Sequence, residues 1–150
     1  MPPRFHELSN TDLDRYFASD PHYHPAISKN ELSSSSIGKF TIVNMQDSNK
    51  GQGTHWVLLY DVRPDEVVYF DSMGSVPPRK VAAFMKKTGK EILYNPLQLQ
   101  AMGSIVCGYW VEMIADLLNE GESMEQIYDH FSTSSPTHND KLIKRYFYGK

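Results

Sequence analysis

Three observations predict an α+β fold, with a mixed, mostly antiparallel central sheet of four or five strands and helices packed around it. β-branched and aromatic runs cluster in the middle of the 150-residue chain, a capped helical segment precedes them, and the last third carries apolar residues at helical spacing.

In chain order, Ser9-Asn10-Thr11-Asp12 offers capping oxygens to a short helix through Leu13, Tyr16 and Phe17. The polar stretch from Asp20 to Gly38, with Pro21, Pro25 and Ser33-Ser34-Ser35-Ser36, is expected to be a loop over the core, suited to gate a neighbouring cleft. Phe40-Thr41-Ile42-Val43-Asn44 and His55-Trp56-Val57-Leu58-Leu59-Tyr60 read as strands, joined by the turn chemistry of Asn49-Lys50-Gly51-Gln52-Gly53. A third strand, Val67 to Asp71, follows Arg63-Pro64-Asp65-Glu66 closely enough for an antiparallel hairpin. Pro77-Pro78 opens a helix through Val81, Ala82, Phe84 and Met85 that stops at Gly89, and Glu91 to Tyr94 resumes an extended run. From Cys107 onward, Val111, Ile114, Leu117 and Leu118 mark a helix ended by Gly121. Ser123 and Gln126 suit a capping box for the next helix, and Asn139 or Asp140 is expected to cap the last, which carries Leu142, Ile143, Tyr146 and Phe147.

At 40% hydrophobic residues, residues 1–150 are expected to form a single domain with its own core. No apolar run approaches the roughly 20 residues of a membrane span, and the first residues lack a signal-peptide pattern, so a soluble, non-secreted protein is expected. Cys107 is the only cysteine, which excludes an internal disulfide and a multi-thiolate zinc site. His22 and His24 lack a third nearby ligand, so no metal site is expected. A net charge of −3 argues against nucleic acid as the main partner, although Arg79, Lys80, Lys86, Lys87 and Lys90 form one basic cluster and Lys141, Lys144, Arg145 and Lys150 another. The plainer use of both clusters is a solvated helix face.

The single cysteine heads the predicted core helix, where partial positive charge and unbonded N–H groups favour a thiolate. Gly108 next to it permits close approach of backbone or substrate, and the Cys107 N–H is a candidate oxyanion donor. Among six histidines, His55 alone opens an apolar strand, where neighbours hold it and where it can serve as general base and acid. Asp71 ends the next strand, and pairing of the two strands would bring its carboxylate to the imidazole. Taken singly, each residue has a plainer use. A cysteine heading an apolar helix is commonly buried packing, a histidine beside Trp56 a satisfied structural residue, and an Asp before Ser-Met-Gly a turn former. Their joint placement at strand and helix ends is what favours a cysteine hydrolase.

The order His55, Asp71, Gln100, Cys107, set in Gly-Thr-His-Trp, Tyr-Phe-Asp-Ser and a Gln seven residues before Cys-Gly, resembles the adenovirus protease (adenain-like) family, a relative of the ubiquitin-like-protein proteases. The likeness runs from about Leu8 to the end and is greatest to the short forms in virophages, Maverick-type elements and related DNA viruses. Those resemble Ile42-Val43-Asn44 with Asp47-Ser48 before the histidine, and Phe131-Ser132 followed by Asn139-Asp140 after the cysteine. The resemblance implies Cys107 as nucleophile, His55 as base and acid, Asp71 as orienting carboxylate, Gln100 as oxyanion-hole donor and Trp56 as a wall of the site. It further implies a monomeric cysteine endopeptidase that cuts capsid or core precursors near glycine during particle maturation, located in the virion and the infected cell. No cofactor is required for the chemistry. The adenoviral enzyme's disulfide-linked activating peptide has no second cysteine to join here, so a peptide or DNA activator would bind without a disulfide, and DNA contact would be weak, through the Lys/Arg clusters.

Three alternatives stay open: a protease acting on ubiquitin or ubiquitin-like proteins, an acetyltransferase using a similar His-acid-Cys set, and a non-catalytic capsid-associated module. A ubiquitin-like substrate tests the first; no coenzyme-binding surface is legible for the second; the third gives no reason for the four residues to occur together.

Overall fold

The computed structural model describes residues 5–45 and 55–148. The expected turn at Asn49 to Gly53, and Asp47-Ser48, lie outside the described residues. Five strands, β1 (Tyr23–Ser28), β2 (Phe40–Asn44), β3 (Trp56–Tyr60), β4 (Glu66–Phe70) and β5 (Glu91–Tyr94), form one sheet in that order. Five α-helices accompany them: α1 (Asn10–Tyr16), α2 (Arg79–Lys87), α3 (Cys107–Asn119), α4 (Met124–Tyr128) and α5 (Pro136–Tyr148).

The class is α+β, and the sheet is more evenly mixed than the sequence suggests. The three central strands pair antiparallel, while β1 joins β2 and β5 joins β4 in parallel. β1 lies inside the stretch expected to be loop, so only its flanks are irregular, including a 3-10 turn at Ser34–Ser36. Pro25 concealed it. Lacking an N–H, proline suits an edge strand at a break in register, and the β1–β2 register shifts between His24 and Ile27. There the Pro25 carbonyl accepts a bond from Thr41 Oγ1 at 3.1 Å.

Strand alternation sorts the apolar residues onto two faces. Phe40, Ile42, Trp56, Leu58, Tyr60, Val68 and Phe70 face a large core closed by α3 and by parts of α1, α4 and α5. Val43, Val57, Leu59, Val67 and Tyr69 face a smaller core closed by Val81 and Met85 of α2. Both faces being covered explains why β3 is buried along its whole length.

The caps follow the sequence. Ser9 and Asp12 form a reciprocal capping box on α1, as Ser123 and Gln126 do on α4. Helix α5 departs from it, beginning at Pro136, three residues before Asn139. Asn139 and Asp140 therefore do not cap it; both are buried and serve the site below.

Candidate active site

The end of β4, the start of β3 and the N-terminus of α3 meet at one end of the sheet, and each delivers one chemical group. Asp71 follows β4 and is 1% exposed; its Oδ1 accepts a 2.8 Å bond from His55 Nε2, just ahead of β3. The same Oδ1 accepts the Met73 N–H at 2.8 Å, which fixes the carboxylate in its own turn. Asp71 Oδ2 is buried with no hydrogen-bond partner among the described residues, leaving the imidazole as the main sink for its charge.

His55 also hydrogen-bonds the Cys107 side chain. Because Nε2 is held by Asp71, Nδ1 is the nitrogen left for the sulfur. Burial works against the charged imidazole, but the bonds and charges of Asp71 and Cys107 outweigh it and raise the His55 pKa to about 9. The ring is thus stable as an imidazolium between two acidic groups.

Cys107 is the first residue of α3 and is 3% exposed. The helix ladder starts with Trp110 N–H bonding Val106 O at 3.1 Å, so the N–H groups ahead of it point out of the helix end. Their partial charge favours an anion at the sulfur or at an oxygen beside it.

Gln100 is 2% exposed and its amide is locked at both ends. Ser72 Oγ donates to Oε1 at 2.5 Å, and Nε2 donates to Ser104 O at 2.9 Å. These bonds set which end of the amide is the NH2, and the second hydrogen on Nε2 is the one that could serve an oxyanion. The backbone is held equally firmly, with Leu99 N–H and Gln100 N–H both bonding Ser72 O at 2.8 and 3.0 Å.

Further residues, unnoticed as site residues in the sequence, hold this loop. Asn95 is fully buried, and its amide donates to Asp71 O and Leu97 O at 2.9 and 2.8 Å. Gly74 has φ +77°, and a Cβ there would lie 2.6 Å from the Leu97 carbonyl carbon, so only glycine lets the two loops touch. From the far side Asn139 Nδ2 donates to Leu99 O at 3.1 Å and Ser132 O at 2.7 Å, while Asp140 receives the Trp110 indole N–H at 3.0 Å and the Ala101 N–H at 3.3 Å. The only sequence signal for these roles was a pair of polar residues inside an apolar helix pattern, and a capping role explained it equally well.

The structure brings His55, Asp71 and Cys107 together, with Gln100 on the loop leading to Cys107. Trp56 and Gly108 are placed differently from a substrate wall. The Trp56 indole is 4% exposed in the larger core, and its Nε1 donates to Leu8 O at 2.9 Å. The space a Cβ would need at Gly108 is filled by Leu8, whose own Cβ would lie 2.9 Å away. The close approach that Gly108 permits is therefore to Leu8, and both residues anchor the 5–8 segment across the helix start. His22 and His24 stand apart: the nearest acid to His22 is Asp20 at 3.9 Å, and His24 bonds Pro25 O and Ser35 Oγ. Among the described residues no group of three or more His, Cys, Asp or Glu could hold a metal ion, and no helix is long and apolar enough to cross a membrane.

No family model and no curated protein matches the sequence. Solved structures do match the fold. Two crystal structures of the ASFV pS273R protease superpose on the chain: one, of the selenomethionine protein, at 17% identity and TM-score 0.53 over 71% of this chain and 42% of that one, the other at 14% identity and TM-score 0.57 over 90% and 63%. The chain thus spans between about two fifths and two thirds of the protease it matches. At these identities the likeness concerns the backbone: the five-stranded mixed sheet with its helices resembles the fold of that protease.

Proposed function

We propose that this protein is a cysteine endopeptidase of the viral, adenain-like type, cutting peptide bonds near glycine in capsid or core precursor proteins during particle maturation. The observation that carries the reading is the meeting of three groups, with His55 Nε2 bonded to Asp71 Oδ1 at 2.8 Å and the Cys107 side chain interacting with the same imidazole. A buried structural cysteine needs no such arrangement, whereas peptide hydrolysis needs each part of it.

In the proposed cycle the Cys107 sulfur attacks the scissile carbonyl carbon. The resulting oxyanion would be met by the Cys107 backbone N–H and the second hydrogen of Gln100 Nε2. The His55 imidazolium then gives its proton to the leaving amine, the C–N bond breaks, and an acyl-enzyme remains. Water, deprotonated by the now neutral His55, attacks that thioester; the carboxylic acid leaves and the thiolate-imidazolium pair returns. Asp71 keeps its carboxylate throughout and holds the ring in line. The short-form virophage and Maverick-type resemblance belongs to the same reading, as do action in the virion and infected cell and any activation by a peptide or DNA bound without a disulfide.

Brief iodoacetamide treatment at about pH 6, read by intact-mass spectrometry, tests the site, because an ordinary thiol with a pKa of about 8.5 alkylates slowly there. Fast labelling of Cys107, slowed at least about tenfold in His55→Ala, is expected. Slow labelling indifferent to His55 would return Cys107 to packing. Glycine-containing capsid-precursor peptides and a ubiquitin-like fluorogenic substrate, assayed in parallel, separate the proposed substrate class from its nearest rival.

A further inference from the structure

At the opposite end of the sheet lies a groove of about 570 Å³, between α2 and residues 30–38. Its volume is that of a ligand site, and Leu32 and Ile37 on one wall face Ala83 and Phe84 on the other. His55 precedes β3 and Asp61 follows it, so a strand of about 17 Å separates this groove from the triad.

Its charge is one-sided. Lys80, Ala83, Phe84 and Lys87 share a face of α2, at steps of three, four and seven residues. Neither Lys80 nor Lys87 forms an ion pair among the described residues, and the segment from Arg79 to Lys90 contains no acid. Asp61, the only carboxylate lining the groove, is already neutralised: Lys90 Nζ donates to its Oδ1 at 2.7 Å and Gly38 N–H to its Oδ2 at 2.9 Å. Asp61, itself buried, thereby ties Gly38 on one wall to Lys90 beyond the end of α2, so the groove is preformed. Ile37 is 62% exposed, an apolar side chain held in water at the groove's lip.

We propose that this groove docks an extended acidic peptide segment in which an apolar side chain lies between two carboxylates. Lys80 and Lys87 are two helical turns, about 10.5 Å, apart. Carboxylates four residues apart in an extended chain lie on one side of it, about 13 Å apart, within reach of both flexible lysines, with the apolar side chain midway between them set between Phe84 and Ile37. The site lies away from Cys107, so the segment would belong to a substrate or partner that the protein recruits, and its binding leaves the triad open. A small anion would satisfy one lysine and leave the apolar walls uncovered.

The test is fluorescence anisotropy of a fluorescein-labelled peptide, Gly-Glu-Leu-Phe-Ala-Glu-Gly, with the full chain at low salt. Saturable binding is expected, weakened at least about tenfold by Lys80→Glu with Lys87→Glu and also by Ile37→Ser, all at exposed positions that leave the core intact. A peptide with Ser-Ser in place of Leu-Phe should bind more weakly. Absence of binding, equal binding by the lysine variant, or equal binding of the Ser-Ser peptide would overturn the proposal. So would displacement of the peptide by duplex DNA that itself binds through the same lysines, which would make them a phosphate surface. None of these readouts depends on protease activity.

Discussion

Asp71 is held by three bonds that have nothing to do with substrate: the Met73 N–H on its carboxylate, and Asn95 Nδ2 and the Gly74 N–H on its carbonyl. Its carboxylate cannot turn away from His55, which makes the His55 pKa of about 9 a property of the fold. In the proposed reaction the imidazolium must donate to the leaving amine, so kcat/KM should fall as pH rises through about 9. Replacing Asp71 by Asn removes a charge that raises the pKa, and the alkaline limb should move to lower pH while kcat drops at least about a hundredfold. A pH–rate profile of wild type and Asp71→Asn checks both. An unmoved limb would show that His55 is not the group titrating. At this scale the sequence was informative: His55, Asp71 and Cys107 stood out because each falls where an element begins or ends, and Gln100 only through its place seven residues before Cys-Gly in the pattern the chain resembles. Ser72 did not stand out, since nothing in Asp-Ser tells a turn hydroxyl from one that orients a glutamine amide 28 residues away.

Among the elements, α5 shows how a local pattern can be right in type and wrong in purpose. Asn139 and Asp140 are residues that favour helix ends, and a capping role explains them by local chemistry alone. The helix starts earlier because Pro136 is preorganised for a first turn, and this turns both polar side chains into the core. There Asn139 carries three bonds: two from its amide nitrogen, and one from Ser132 N–H to its Oδ1 at 2.7 Å. Asn139→Ala strands the two carbonyls and the amide it served, and should cost about 2–4 kcal/mol in denaturant unfolding. In the proposed enzyme the same change frees the Leu99 side of the Gln100 loop, so residual activity should show a fall in kcat with KM little altered. The β1 strand was hidden for a related reason: proline at a register break is an exclusion signal for central strands and uninformative for edges.

Across the whole molecule, two titrations, one of a half-buried and one of a buried group, bias stability toward the acid side. The His55 pKa is raised above its usual 6.5, so the stability it confers is complete below about 6.5 and is lost as pH rises through about 9. Glu112, in the middle of α3, is 3% exposed, and burial, with Asp116 and Asp12 nearby, pushes its pKa up to about 8. The folded state therefore prefers the neutral acid, and this share of stability is complete below about 4.5 and is lost as pH rises through about 8. Thermal melts should show Tm falling between pH 5 and 9, and Glu112→Gln, neutral throughout, should flatten the part below 8. An identical pH dependence in the variant would mean that Glu112 does not titrate in this range. Such a bias was not legible in advance, because Glu112 in sequence is one acid on a helix, and only tertiary packing around α3 buries it.

Leu8 fills the space beside Gly108 and accepts the Trp56 indole proton, so one side chain and one carbonyl join the start of α3 to the start of β3. The Cys107 turn and the His55 strand are thereby fastened by a segment about a hundred residues earlier than the cysteine. Hydrogen exchange at the Trp56 indole and at the first amides of α3 should then report a single opening event, with shared protection and a shared response to denaturant. Lifting that segment would loosen the His55 and Cys107 ends at once, making it the natural place for a binding partner or a short deletion to silence the proposed enzyme without touching any residue of its site.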